Sequence, residues 1–216
     1  IFAPAFWHHH FGKIALGWAL AFLLPCALWL STADAGNVVV HAMVDEYLPF
    51  IVLLFALYTI SGGILITGNL HGSPALNTGI LALGAACASL MGTTGAAMLL
   101  IRPLLRANDN RRHNVHVVVF FIFLVGNIGG GLTPIGDPPL FLGFLKGVSF
   151  SWTFQAMLLP VLTACSLLLL AFYLLDSYYY RKEGVLPRDP TPDNHRLGVQ
   201  GGFNFLLLAG VVGAVL

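Results

Sequence analysis

"GNIGGGLTPIGDPPLF", residues 126–141, directly follows an apolar run, Val115 to Val125, that has the composition of a membrane-spanning helix. Glycine and proline are the residues least tolerated inside a helix, so a helix here must stop near Gly126 and can restart only near Pro138. The depth of that stop decides the fold. As a helix, His116 to Gly126 covers roughly 16 Å, about half of a 30 Å hydrocarbon core. The break is therefore expected near mid-membrane. Non-helical backbone at that depth is tolerated only inside protein or beside a water-filled cavity, because each unpaired peptide group in lipid costs several kcal/mol.

The membrane setting follows from composition. The chain has 216 residues, 57% of them hydrophobic and 9% charged, against roughly a quarter charged in soluble domains. Apolar runs recur at Ile14 to Leu30, Leu48 to Ile66, Leu76 to Ile101, Val115 to Val125, Phe154 to Leu175 and Phe203 to Leu216. Each is of spanning length or half of it, which predicts an all-α integral membrane helix bundle with the lipid bilayer as solvent. Ile1 in place of Met and the short final run predict a longer polypeptide. Cys26, Cys87 and Cys165 lie in apolar runs without metal-binding or redox spacing and read as inert thiols. A net charge of +1 and the lack of a basic groove argue against nucleic acid. No nucleophile with a base, zinc spacing or phosphate loop is visible, so neither an enzyme nor a cofactor is expected.

Orientation comes from charge. Lys and Arg cluster at Arg106 to Arg112 and at Arg181 to Arg196, whereas Ser31 to Glu46, read as a loop, holds acids and no Lys or Arg. The positive-inside rule puts the basic loops in the cytoplasm and the acidic one outside. Ile14 to Leu30 then goes outward and Leu48 to Ile66 returns. Ser73 and Arg106 must lie on the same side, so Ser73 to Leu105 enters and leaves by one face. A re-entrant hairpin satisfies this, with its tip at Met91 to Gly95, "MGTTG", and small residues before it for close packing. A single tilted helix is the competing reading. The first arm, Asn77 to Leu90, reaches roughly 21 Å, so Thr93 and Thr94 arrive at the depth of the break. Trp152 and Tyr178 to Tyr180 fall where ring anchors sit at headgroups, and Arg102 is expected to snorkel. "SGG" at Ser61 to Gly63 is expected to serve helix packing.

Two irregular segments meeting inside the bilayer mark a binding site. Carbonyls at the end of the first half-helix suit a cation, and amides starting the second at Pro138 suit an anion. Asp137, the sole acid between Asp109 and Asp176, is expected to cap the second half-helix with Pro138 at its first position, and can still serve as an ion ligand.

An apolar half-helix followed by "NIGGGLTPIGDPP", after a hairpin with a small polar tip, resembles the ion transporter superfamily. That group includes D-type sodium/proton antiporters, arsenite pump membrane subunits, citrate carriers and sodium-coupled dicarboxylate carriers. The resemblance covers about Leu48 to Leu175 and is nearest the antiporter-like and citrate-transporter-like members. It implies two inverted repeats, each with a re-entrant hairpin and a broken helix, and a homodimer. Residues 1–180 would form the first repeat, 181–201 a cytoplasmic linker containing "PRDPTPD", and 202–216 the start of the second repeat. Asn127, Gly129, Thr133 and Asp137 match the break, and Thr93 and Thr94 the tip. The tip lacks the Asn of the dicarboxylate branch, and Asp137 replaces its Ser, which weighs against a carboxylate substrate.

The resulting expectation is a secondary transporter of a bacterial inner membrane exchanging Na⁺ for H⁺. Asn127, Thr133, Asp137 and the hairpin threonines would form an oxygen shell for Na⁺. An alternative within the same fold is cation-coupled transport of citrate or another small anion. A third reading, a haem-binding or structural subunit, is prompted by His8, His9, His10, His113 and His116, although their spacing suits interfacial side chains better.

Overall fold

A computed structural model describes residues 4–29, 32–68, 70–184 and 198–215. The chain divides into two compact units, Ile1–Pro49 and Phe50–Leu216.

The first unit contains α1 (Pro4–Trp29), α2 (Thr32–His41) and a π-helical stretch, Ala42–Tyr47. From Ile14 onward α1 is apolar all round, and Trp18 and Trp29 are 75% and 90% exposed, as suits a helix solvated by lipid. The acidic segment from Ser31 to Glu46, expected as a loop, is helical from Thr32 onward. Its His41 lies 3.7 Å from Asp45 and 3.6 Å from Glu46. Those polar groups face one another along a helix, and Val38, Val39, Val40, Met43 and Val44 keep the segment apolar enough to continue it.

The second unit runs through α3 (Leu48–Gly62), β1 (Leu65–Thr67), α4 (Pro74–Ala107), α5 (Val115–Leu124), a 3₁₀ turn (Ile128–Leu132), α6 (Pro138–Leu145), α7 (Phe150–Glu183), β2 (Gly198–Gln200) and α8 (Phe203–Val215). α4 is two helices. Straight, its residues would span about 50 Å. Yet the Gly72 amide donates to the Ala107 carbonyl at 2.6 Å, and the side chains of Asn77 and Asn108 exchange hydrogen bonds of 2.8 and 2.9 Å. The chain therefore doubles back, and it does so at Gly92, whose φ of 78° and ψ of 154° are reserved for glycine. The reversal falls inside "MGTTG", where the sequence places a hairpin tip, and one straight helix over the whole stretch is excluded.

The arms differ in how they begin and end. Ser73 caps the first, accepting a hydrogen bond from the Leu76 amide, and Pro74 occupies a first-turn position that needs no donor. Ala85, Ala88 and Ser89 are buried small residues that let other segments approach the first arm closely. The Ser61 to Gly63 stretch acts as packing surface: a Cβ at Gly95 would stand 3.1 Å from the Ser61 Cβ. Leu81, Leu104, Phe121, Leu124 and Phe172 form the core that joins hairpin, α5 and α7. The other side of α7 is exposed at Leu159, Leu167 and Leu174, a lipid-facing surface.

α5 stops at Leu124, and regular α-helix resumes at Pro138. The apolar run ending at Ile66 is helical only to Gly62, because β1 pairs antiparallel with β2, with Ile66 opposite Val199. α7 continues to Glu183, and Gly198–Gln200 is strand. "PRDPTPD", residues 187–193, lies outside the described residues. Among the described residues, five apolar helical stretches have the length and composition of a membrane span, counting the two arms of the hairpin as one stretch and α5 together with the 3₁₀ turn as another.

Two glycines in the first arm and tip should respond oppositely to alanine. Gly92→Ala forces a side chain into a glycine-only conformation and should cost about 1–3 kcal/mol. Gly79 lies mid-helix with open space around it, so Gly79→Ala should be neutral or stabilise by up to about 1 kcal/mol. Thermal melting of the two variants in detergent checks this; equal melting temperatures would contradict the hairpin geometry.

Candidate functional site

The hairpin tip and the helix break are bonded to each other. The Thr93 amide donates to the Gly136 carbonyl at 3.1 Å. One turn earlier, the Ser89 hydroxyl donates to the Gly129 carbonyl, and the Thr133 hydroxyl donates to the Ser89 carbonyl. Thr133 Oγ1 also accepts from the Gly136 amide at 3.2 Å. Backbone that leaves the helical ladder in both segments is thus paired across the junction, as an apolar interior demands. The close approach depends on glycine at 136, where a Cβ would collide with the Gly130 carbonyl oxygen.

Two cavities flank this junction and share Thr93 and Thr94. The first, about 310 Å³, lies between the tip, Ile135 to Pro138 of the break, and Leu54 and Tyr58 of α3. The second, about 520 Å³, is bounded by the tip, Met98, Val118, Ile122 and Gly126. The second hairpin arm starts at the walls of both cavities, so the positive end of its dipole lies there. The negative end of α5, which stops at Leu124, adjoins the second cavity. Helix-start and helix-end polarity thus lie on two sides of a pair of hydroxyl groups, and neither lining contains Lys or Arg.

The residues singled out from sequence are placed unevenly. Thr93 and Thr94 line both cavities. Gly129 is buried against Ala85, with its carbonyl taken by Ser89. Thr133 commits its hydroxyl to Ser89 and Gly136, within the junction. Asn127 is exposed, and its side-chain amide donates back to the Ile122 carbonyl at 3.4 Å; neither Asn127 nor Thr133 lines either cavity. Asp137 occupies the N-cap position of α6, as expected, but its side chain makes no capping hydrogen bond. It lies between Gly136 and Pro138, both of which line the first cavity.

The expectation that the start of the second half-helix offers amides to an anion needs correction. Pro138 and Pro139 have no N–H, and the amides of Leu140 and Phe141 both donate to the Asp137 carbonyl, at 3.0 and 3.2 Å. An anion must rely on the hairpin side of the cavity. Among the described residues no group of three His, Cys, Asp or Glu side chains could hold a metal ion. His116 pairs with Asp176 at 2.7 Å, and the His113 ring packs on Tyr179. Sequence reading missed Asp176 as a partner, together with Asn77, Asn108 and Arg111, which gather at the root of the hairpin. The available signal was an acid continuing an otherwise apolar run from Phe154 to Leu175.

No curated protein and no solved structure matches the chain. A family match is found over its full length. Residues 1–216 match the family described as "Putative citrate transport". With its long apolar helices, the chain is an integral membrane protein and belongs to that transporter family.

Proposed function

We propose that the chain carries a citrate-class carboxylate across the membrane together with a cation, using the junction of hairpin tip and broken helix as its site. The observation that carries this reading is the pair of cavities sharing Thr93 and Thr94. The anion is assigned to the first cavity, against the start of the second hairpin arm. The cation is assigned to the second, where hydroxyl oxygens meet the carbonyl end of α5. Opposite unit charges 4 Å apart attract by about 4 kcal/mol at an effective dielectric constant of 20. In a site without Lys or Arg in its lining, that attraction makes the anion's affinity depend on the cation, which is the thermodynamic content of coupling. The inverted second repeat, a homodimer and a bacterial inner membrane belong to this reading as well.

A second reading, exchange of Na⁺ for H⁺, is favoured by one feature: Asp137 is partly buried beside the first cavity and its carboxylate leaves the helix uncapped. There it can alternate between a proton and a cation.

Vesicle assays distinguish the two. With radiolabelled citrate and an inward Na⁺ gradient, the wild type should accumulate citrate, and Thr93→Ala combined with Thr94→Ala should reduce uptake by about tenfold or more, equivalent to one lost ligand at 1.4 kcal/mol. Failure to accumulate citrate, or uptake unaffected by the double substitution, overturns the first reading. Asp137→Asn should leave citrate uptake largely intact; if it instead abolishes a pH-gradient-driven Na⁺ flux that the wild type shows, the second reading stands.

A further inference from the structure

Helix α3 brings two hydroxyl groups to the neighbourhood of the first cavity, and neither has a hydrogen-bond partner among the described residues. Ile51, Leu54, Phe55 and Tyr58 border that cavity, a stripe at helical spacing that Ser61 continues. Tyr58 and Ser61 are its only polar members. A hydroxyl on an apolar helix ordinarily donates to the carbonyl four residues earlier, as Thr59 does to Phe55, Thr78 to Pro74 and Thr163 to Leu159. Ser61 makes no such bond, although it is only 1% exposed. Its Oγ lies instead against the start of the second hairpin arm, where a Cβ at Gly95 would collide with it.

Packing and anchoring do not account for these groups. Alanine would fit against Gly95 as well as serine does, without burying an unpaired hydroxyl. A tyrosine that anchors a helix places its O–H at the headgroups. Tyr58 instead borders the same cavity as Thr93 and Gly136, at the tip of the hairpin rather than its root. That cavity is also short of donors for an anion. Pro138 has no N–H, the Thr93 amide is taken by the Gly136 carbonyl, and the lining contains no Lys or Arg. Two unspent O–H groups on one face of α3 supply the kind of group that is missing, since a hydroxyl bonds a carboxylate more strongly than it bonds a neutral acceptor.

Building on the carboxylate reading above, we propose that Tyr58 and Ser61 are ligands of the transported anion. The Tyr58 hydroxyl donates to one carboxylate oxygen inside the first cavity. The Ser61 hydroxyl donates to another at the start of the second arm, past Gly95, which has no side chain to intervene. An anion held this way bridges α3 and the hairpin tip, so its carboxylates are read from two separate elements. A solute with a single carboxylate engages only one of them.

Tyr58→Phe and Ser61→Ala each remove one O–H and little else. In vesicles with an inward Na⁺ gradient, each should raise the KM for citrate about tenfold, the worth of a hydrogen bond to a charged group, and leave the maximal rate nearly unchanged. Melting in detergent separates a ligand from a packing residue. Ser61→Ala should melt no lower than the wild type, because the hydroxyl it loses is unpaired without the anion. A merely structural Ser61 would show the same melting behaviour with the KM unmoved. If the wild type accumulates citrate and either folded variant keeps the wild-type KM, this inference is wrong while the transport reading stands. A wild type that accumulates no citrate overturns both. Should Tyr58→Phe fail to fold, the KM of Ser61→Ala decides.

Discussion

A single backbone hydrogen bond, from the Thr93 amide to the Gly136 carbonyl, joins two segments that have each abandoned the helical ladder. In water such a bond would count for little, because solvent would satisfy either group. In an apolar interior each unpaired peptide group costs several kcal/mol, so two breaks are far more easily accommodated together than apart. The side chains around the bond serve the same end: Ser89 takes the Gly129 carbonyl, and Thr133 takes the carbonyl of Ser89. Gly136 lets the two backbones approach. The site's geometry follows from this mutual satisfaction: hydroxyl groups and helix ends gather where regular structure is interrupted.

The hairpin is secured at both ends by different physics. Its tip is held by neutral hydrogen bonds among backbone and small hydroxyls, its root by buried ions and amides around Asp176. Between them the arms pack through small residues and leucines, with Leu81 and Leu104 fully buried. Buried ion pairs contribute little net stability when complete but cost about 3–5 kcal/mol when one partner is lost. The root is therefore sensitive to its charge state, whereas the tip is sensitive to shape. A carrier needs an element that is rigid within itself and able to change its attachment, and a hairpin with these two ends meets that need.

Much of this was legible from local sequence. Glycine and proline at 126–141 fix where a helix must stop, because φ, the missing amide and backbone entropy act on single residues. Loop charge placed both ends of the hairpin on one side, and "MGTTG" supplied the reversal. What stayed hidden depended on long separations or on bonds already spent. The partnership of Asp176 with Asn77 spans 99 positions, which no periodicity reports. Thr133 and Asn127 have the right oxygens for a cation, yet one is consumed inside the junction and the other faces outward. Two consecutive prolines at the start of α6 were readable as removing amides there, and that weakens the anion site first expected at Pro138. The acids Asp45 and Glu46 read as a loop in isolation, whereas His41, one helical turn earlier, partners both.

The central claim is that a solute binds where tip and break meet. In a cysteine-free background, Thr94→Cys places a thiol that borders both cavities. Its labelling by a small, charged thiol reagent, measured in membrane vesicles, tests the claim directly. The account predicts that the thiol is labelled, and that citrate with Na⁺ slows the labelling while neither alone does so to the same extent. A thiol that is labelled at one rate whatever anion or cation is present would contradict it.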